Sequence, residues 1–191
     1  MTEPSPGYHG VKFYETFGDF GFTMRCRMES LRVFGAALSP TSAWQILQGV
    51  ETLPLRMAQH NKNALALATF LQDDPRVAWV NYPGLSGHPQ HALLQRQMSG
   101  ASGLLAFGVK GDLSAGVRFI EGAQMMSHLV NIGDTRTLIS HPASTTHRQL
   151  DPAQQLAAGV LPDMVRISVG LEHIDDILWD VDRALNAAMT G

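Results

Sequence analysis

Asp163-Met164-Val165-Arg166-Ile167-Ser168-Val169-Gly170 is the stretch on which the fold turns. Successive strand side chains point to opposite faces, so Val165, Ile167 and Val169 share one side and Met164, Arg166 and Ser168 the other. The first side suits a hydrophobic core. The second plants a guanidinium on a rigid element between apolar neighbours, and such a group requires an anion. Its planar fork suits a carboxylate held through two parallel hydrogen bonds. The pattern leaves two sources open: a protein Asp or Glu, or the α-carboxylate of a substrate.

Working outward, Ile174, Ile177, Leu178, Val181 and Leu185 form one apolar helical stripe, and Asp175, Asp176, Asp180 and Asp182 are read as lying off it. Acids near a helix N-terminus are favoured by the macrodipole, so these four read as a solvated face rather than as catalytic carboxylates. Further strands are expected at residues 77–82, 103–109, 127–132 and 137–140, with helices at about 89–98 and 113–124. Short turns such as Gly133-Asp134 argue for a mainly antiparallel or mixed sheet covered by helices on one face, an α/β chain of α+β character. A long helix opens at Ser39-Pro40, runs through Trp44, Leu47 and Val50 towards Leu71, and is expected to kink at Pro54 and serve as the spine. Residues 23–34 repeat apolar side chains at helical spacing up to a stop at Gly35. Residues 2–22, rich in Pro, Gly and aromatics without a period, read as an arm that packs on another body. The expected division is therefore 1–38, arm and first helix, and 39–191, a small domain.

Composition narrows the function. Of 191 residues 45% are hydrophobic and only 16% charged, against about 25% in an average soluble domain, as expected where part of the surface is covered by something else. Fourteen basic and seventeen acidic residues give a charge of −3, with no cluster of Lys or Arg, so neither a nucleic acid nor an anionic membrane is an expected partner. The longest nearly apolar stretch, residues 64–71, is far short of the roughly 20 residues that span a bilayer, and the opening MTEPSPGYHG is unlike a signal peptide, which points to the cytoplasm. Cys26, the only cysteine, has no disulfide partner and is expected to be buried. The glycines around 100–103 and 108–111 lack a phosphate loop's Lys-Ser/Thr ending. Gly84-Leu85-Ser86-Gly87 is not a nucleophile elbow. His88, His91, His141 and His147 do not place two imidazoles on one helical face beside a Glu, so no metal site is expected.

One more constellation stands out: Asn131-Ile132-Gly133-Asp134, followed by Thr137-Leu138-Ile139-Ser140-His141-Pro142-Ala143-Ser144-Thr145-Thr146-His147. Such rows of small polar groups either satisfy loop backbone or line a site. Together with Val165-Arg166-Ile167-Ser168-Val169-Gly170-Leu171-Glu172-His173-Ile174-Asp175-Asp176, they resemble the C-terminal part of the Cys/Met-metabolism pyridoxal-phosphate enzymes. Earlier segments agree, among them Tyr8-His9-Gly10, Gly49-Val50-Glu51-Thr52-Leu53-Pro54-Leu55-Arg56-Met57 and Val80-Asn81-Tyr82-Pro83-Gly84-Leu85, so the resemblance covers nearly the whole chain. Within the family it is most similar to the O-acetylhomoserine sulfhydrylase branch.

The resemblance implies the small domain of a fold-type I pyridoxal 5'-phosphate transferase, homotetrameric when complete. The implied reaction replaces the acetoxy group of O-acetyl-L-homoserine by sulfide or a thiol, giving homocysteine or methionine, with the cofactor supplying the chemistry. It assigns Arg166 to the substrate α-carboxylate, Asn131 to the neighbourhood of cofactor and carboxylate, and Thr146 to a place near that arginine. The family's larger N-terminal domain holds the Schiff-base lysine and the phosphate-binding groups. Lys12, Lys62 and Lys110 have no setting like that lysine's, so no catalytic or cofactor-binding residue is assigned in this chain. The chain thus resembles a C-terminal fragment, inactive alone and lacking its N-terminal large domain. The other expectations are a fragment of cystathionine γ-synthase or methionine γ-lyase, and a non-catalytic oligomerisation module.

Overall fold

The structure is a computed structural model that describes residues 1–190. It divides into two compact units, Met1–Glu51 and the remainder from Thr52. By compactness the division falls later than the expected 38/39 boundary and groups the helix after Ser39 with the first unit.

In the first unit, residues 2–22 are not irregular. Phe13 is 1% exposed, with the Tyr8 and Phe17 rings 6.2 and 6.1 Å away and the Arg25 guanidinium 5.9 Å from its centre. Phe13 and Phe17, four residues apart, meet on one face of α1 (Phe13–Phe17), which is local logic that a search for long periods passes over. The helical run expected over 23–34 is α2 (Gly21–Arg25), a π-helical stretch (Cys26–Leu31) and α3 (Arg32–Phe34), stopped at Gly35 with φ 62°. Cys26 is exposed, contrary to expectation, because this unit has no core large enough to cover it: its buried residues are Ser5, Phe13 and Gly21. Helix α4 (Pro40–Glu51) buries none of its residues, and Trp44, Ile46 and Leu47 are all exposed.

The second unit opens with α5 (Leu53–Asp73). The helical run is interrupted at Thr52, so Pro54 starts a helix where a mid-helix kink was expected. In the first turn a missing N–H leaves no hydrogen bond unmade. Then come β1 (Val77–Asn81), α6 (His91–Gln97), β2 (Leu104–Val109), α7 (Leu113–Gly122), β3 (Ser127–His128), β4 (Leu138–Ser140), α8 (Pro152–Ala157), β5 (Met164–Ser168) and α9 (Ile174–Met189). One mixed sheet runs in the order β1-β2-β5-β4-β3, with β3 and β4 parallel and the other neighbours antiparallel. Helices α5, α7 and α9 cover one face. Leu67 and Leu71, Phe119, and Ile177, Val181 and Leu185 meet Leu105, Phe107, Ile139, Val165 and Ile167 there, all essentially without exposure.

Three details differ from expectation. Strand β3 ends at His128 rather than Ile132, because residues 129–137 leave as an irregular connection. Helix α8 was not expected, although Asp151 and Gln154 form a capping box and Pro152 takes the first turn. Asp180 is not solvated: it is fully buried, and its carboxylate accepts the backbone N–H groups of Gln124, Met125 and Met126 at 2.8, 2.9 and 2.9 Å. Asp182 is also occupied, paired with Arg76 at 2.6 Å.

Candidate carboxylate-binding site

Arg166 stands at the middle of β5, opposite Ala106 on β2 and Ser140 on β4, on the face away from α5, α7 and α9. Small neighbours on both sides leave the guanidinium uncovered. Its Nη2 donates to the Asn131 carbonyl across 3.5 Å. Among the described residues no carboxylate lies within ion-pair distance of it. A cavity of about 310 Å³ opens beside it, lined by Asn81, Pro83, Gln90, Leu104, Ala106 and Met164 as well as by Arg166 and Leu105. The arrangement is a rigid fork on an open sheet face, with room in front and one backbone carbonyl to orient it. Chemically it can hold a carboxylate from outside the chain.

The connection that carries Asn131 is tied to the end of β5. Gly133 N–H donates to Ser168 Oγ at 3.2 Å, and Leu171 N–H to the Thr135 carbonyl at 2.7 Å. Glu172 accepts the Thr137 N–H at 2.6 Å and the Thr137 hydroxyl at 2.8 Å. The connection is also braced internally: Arg136 donates to Asp134 through its backbone and guanidinium, which holds that carboxyl down at about 2. The Asn131 side chain accepts from the Ile132 N–H at 2.9 Å. Among the described residues Thr146 makes no hydrogen bond to Arg166. It is exposed, and its hydroxyl meets His147 Nδ1 at 2.8 Å.

Two sets of buried polar residues have partners that the sequence did not reveal. His60 Nδ1 donates to the Val169 carbonyl at 2.6 Å, and Asn63 Nδ2 to the carbonyls of Gly170 and Glu172 at 3.0 and 2.9 Å. The available signal was spacing, since His60 and Asn63 continue the buried face of Ala64, Leu67, Ala68 and Leu71. A buried polar group on an apolar stripe has a partner to satisfy. The second group centres on His141, fully buried with Nε2 2.8 Å from the Pro162 carbonyl and Nδ1 2.8 Å from Ser144 Oγ. A carbonyl only accepts, so Nε2 carries the proton, and burial pushes the imidazole below its ordinary range. No set of three or more His, Cys, Asp or Glu among the described residues could hold a metal.

Pyridoxal phosphate finds no cradle among these residues. Lys62 and Lys110 are exposed, Lys12 pairs with Glu15 at 3.0 Å, and none of the three lines a cavity described above. No helix among the described residues is long and apolar enough to cross a membrane.

Comparison with known proteins shows the class: residues 16–186 match the Cys/Met metabolism PLP-dependent enzyme family, to which this chain belongs. Its relatives include O-acetyl-L-homoserine sulfhydrylase 1 of Thermus thermophilus, 52% identical over 97% of this chain. The O-acetyl-L-homoserine sulfhydrylase of Leptospira meyeri is 50% identical over the same share, and the homocysteine synthase of Schizosaccharomyces pombe 44% identical over 98%. The chain spans 44% of the length of each of these three relatives. A crystal structure from Campylobacter jejuni, described as an O-acetylhomoserine (thiol)-lyase and carrying a pyridoxyl-lysine phosphate, superposes over 97% of this chain and 44% of its own, with a TM-score of 0.83 and 38% identity.

Proposed function

We propose that this chain is the C-terminal part of a pyridoxal-phosphate-dependent O-acetylhomoserine sulfhydrylase, and that its contribution is to hold the amino-acid substrate. The observation that carries the proposal is Arg166: a guanidinium on an open strand face, beside a cavity, with the Asn131 carbonyl 3.5 Å away and no described carboxylate paired with it. Its fork takes both oxygens of the O-acetyl-L-homoserine α-carboxylate, and the small side chains of Ala106 and Ser140 leave that approach clear. Asn131 is the second contact. Thr146 belongs to the same wall of the site in this reading, though its hydroxyl faces His147.

The cofactor, its lysine and the acid–base chemistry come with the larger N-terminal domain. Residues 1–38 pack against that domain, which explains Phe20, Phe22, Phe34 and Leu38, each more than 60% exposed. The complete enzyme is a cytoplasmic homotetramer. The names of the relatives and the shared length support the reading of the chain as part of a sulfhydrylase. The test is product analysis with the full-length enzyme that carries this chain. O-acetyl-L-homoserine and sulfide yield homocysteine if the proposal holds. Preference for cysteine as the incoming thiol, or release of methanethiol from methionine as the main reaction, would transfer the chain to another branch of the family.

A further inference from the structure

Residues 129–137 contain neither helix nor strand. Their two ends stay on the β3–β4 ladder, where the Thr137 carbonyl accepts the Ser127 N–H at 3.0 Å and Leu129 N–H donates to the Ile139 carbonyl at 3.2 Å, and from Gly133 onward the further bonds to the rest of the unit converge on residues 168–172, at the end of the strand that carries Arg166 and directly after it. The strongest is a two-pronged hold: both oxygens of Glu172 face one residue, Thr137, through its N–H and its hydroxyl. The same hydroxyl oxygen accepts the Gly170 N–H at 2.9 Å, which closes a ring from Glu172 through Thr137 back to the end of β5.

Contact here is close. A Cβ on Gly170 would lie 2.3 Å from Glu172 Oε2 and 2.5 Å from both the Arg136 carbonyl carbon and the Thr135 carbonyl oxygen. The connection therefore passes over the place a side chain would fill. Glu172 is itself held from the core side, because Asn63 on α5 donates to its carbonyl and to that of Gly170. The rigid core thus fixes Glu172, Glu172 fixes Thr137, and Thr137 ends the connection whose other end sets the Asn131 carbonyl on Arg166.

We infer that Glu172 is a positioning residue, which acts through Thr137 to hold residues 131–137 so that Asn131 aims the Arg166 fork at the substrate carboxylate. This rests on the reading of Arg166 given above. The arm is sensitive because the Arg166–Asn131 contact is long: a small drift of the connection removes it and leaves the guanidinium free to rotate. Substrate binding then requires ordering a side chain that the intact protein presents already oriented.

The experiment compares T137V, which keeps a β-branched side chain and loses the hydroxyl, with T137S, which keeps the hydroxyl. E172Q and R166A are measured alongside. On this chain alone, T137V is expected to speed amide hydrogen exchange at residues 133–137 while leaving exchange in α5, α7 and α9 unchanged, and T137S to restore protection. In the full-length enzyme, T137V should raise KM for O-acetylhomoserine about tenfold, with KM for sulfide and kcat nearly unchanged. E172Q, which keeps an acceptor for the Thr137 N–H, should fall between T137V and the parent. If R166A leaves KM for O-acetylhomoserine unchanged, the reading of Arg166 fails and this inference with it. If R166A raises KM but T137V does not, the inference alone is overturned, whether or not exchange has quickened.

Discussion

Replacing Arg166 by Ala in the full-length enzyme sets two accounts of one side chain against each other. In the structure Arg166 is half-buried on the open sheet face, and its one polar contact among the described residues is the 3.5 Å approach to the Asn131 carbonyl. Removal therefore orphans no described carboxylate, and the cost to stability should stay within about 1 kcal/mol. The cost to the reaction is larger. Two charge-assisted hydrogen bonds at about 1.5–3 kcal/mol each are lost, so kcat/KM for O-acetylhomoserine should fall at least about a hundredfold. Arg166→Lys keeps the charge without the fork and should recover part of the loss. Sulfide carries no carboxylate, so its KM should hardly move. The assay is thermal unfolding and both substrate dependences on the same preparations. If Arg166 instead serves a protein acid, the variant should lose about 3–5 kcal/mol of stability while its folded fraction keeps near-normal kinetics. That outcome, or a stable variant with unchanged kcat/KM, refutes the reasoning.

Other consequences are measurable on this chain alone. Asp180→Ala strands three backbone N–H groups, that of Met126 buried and those of Gln124 and Met125 partly so, and should cost about 3 kcal/mol, read as a lower urea midpoint; Asp180→Asn keeps one acceptor oxygen and should cost less. A midpoint unmoved by the Ala variant would show that those N–H groups find other partners. Gly170→Ala drives a methyl into the Thr135 and Arg136 backbone and should destabilise by about 1–3 kcal/mol, whereas Gly49→Ala, with open space around it, should not. His141 is buried in its neutral form, with a pKa below that of the unfolded chain. As pH falls below about 6.5 the unfolded state takes up a proton first, so stability should decline in that window, and His141→Gln should flatten the decline. Mixing the chain with pyridoxal phosphate and desalting should leave no stoichiometric visible absorption. A lasting band abolished by changing Lys12, Lys62 or Lys110 would contradict the assignment of the cofactor lysine elsewhere.

What could be read from sequence was what has a period or a fixed motif. The alternation of residues 164–169 fixes which side of β5 meets the helices, and the register confirms Arg166 on the other side. The stripe of α9 is equally plain, yet the helix macrodipole, which favours acids only in the first turn, does not reach Asp180 as it does Asp175 and Asp176. Spacing puts it with the core: Ile177, Asp180, Val181 and Ala184 fall at the positions of one buried face. The hold of Glu172 on Thr137 was not legible, because bonds between side chain and backbone across 35 residues leave no periodic trace. The pairing of Arg166 with Asn131 runs through a backbone carbonyl, so residue identity alone could not reveal it.

The most direct test is a crystal structure of the full-length enzyme with homocysteine or O-acetylhomoserine bound. The account predicts both α-carboxylate oxygens on the Arg166 guanidinium at about 2.7–2.9 Å, the charge-assisted range, with Asn131 beside them. A substrate carboxylate bound elsewhere, with Arg166 paired to an Asp or Glu of the protein, would contradict it.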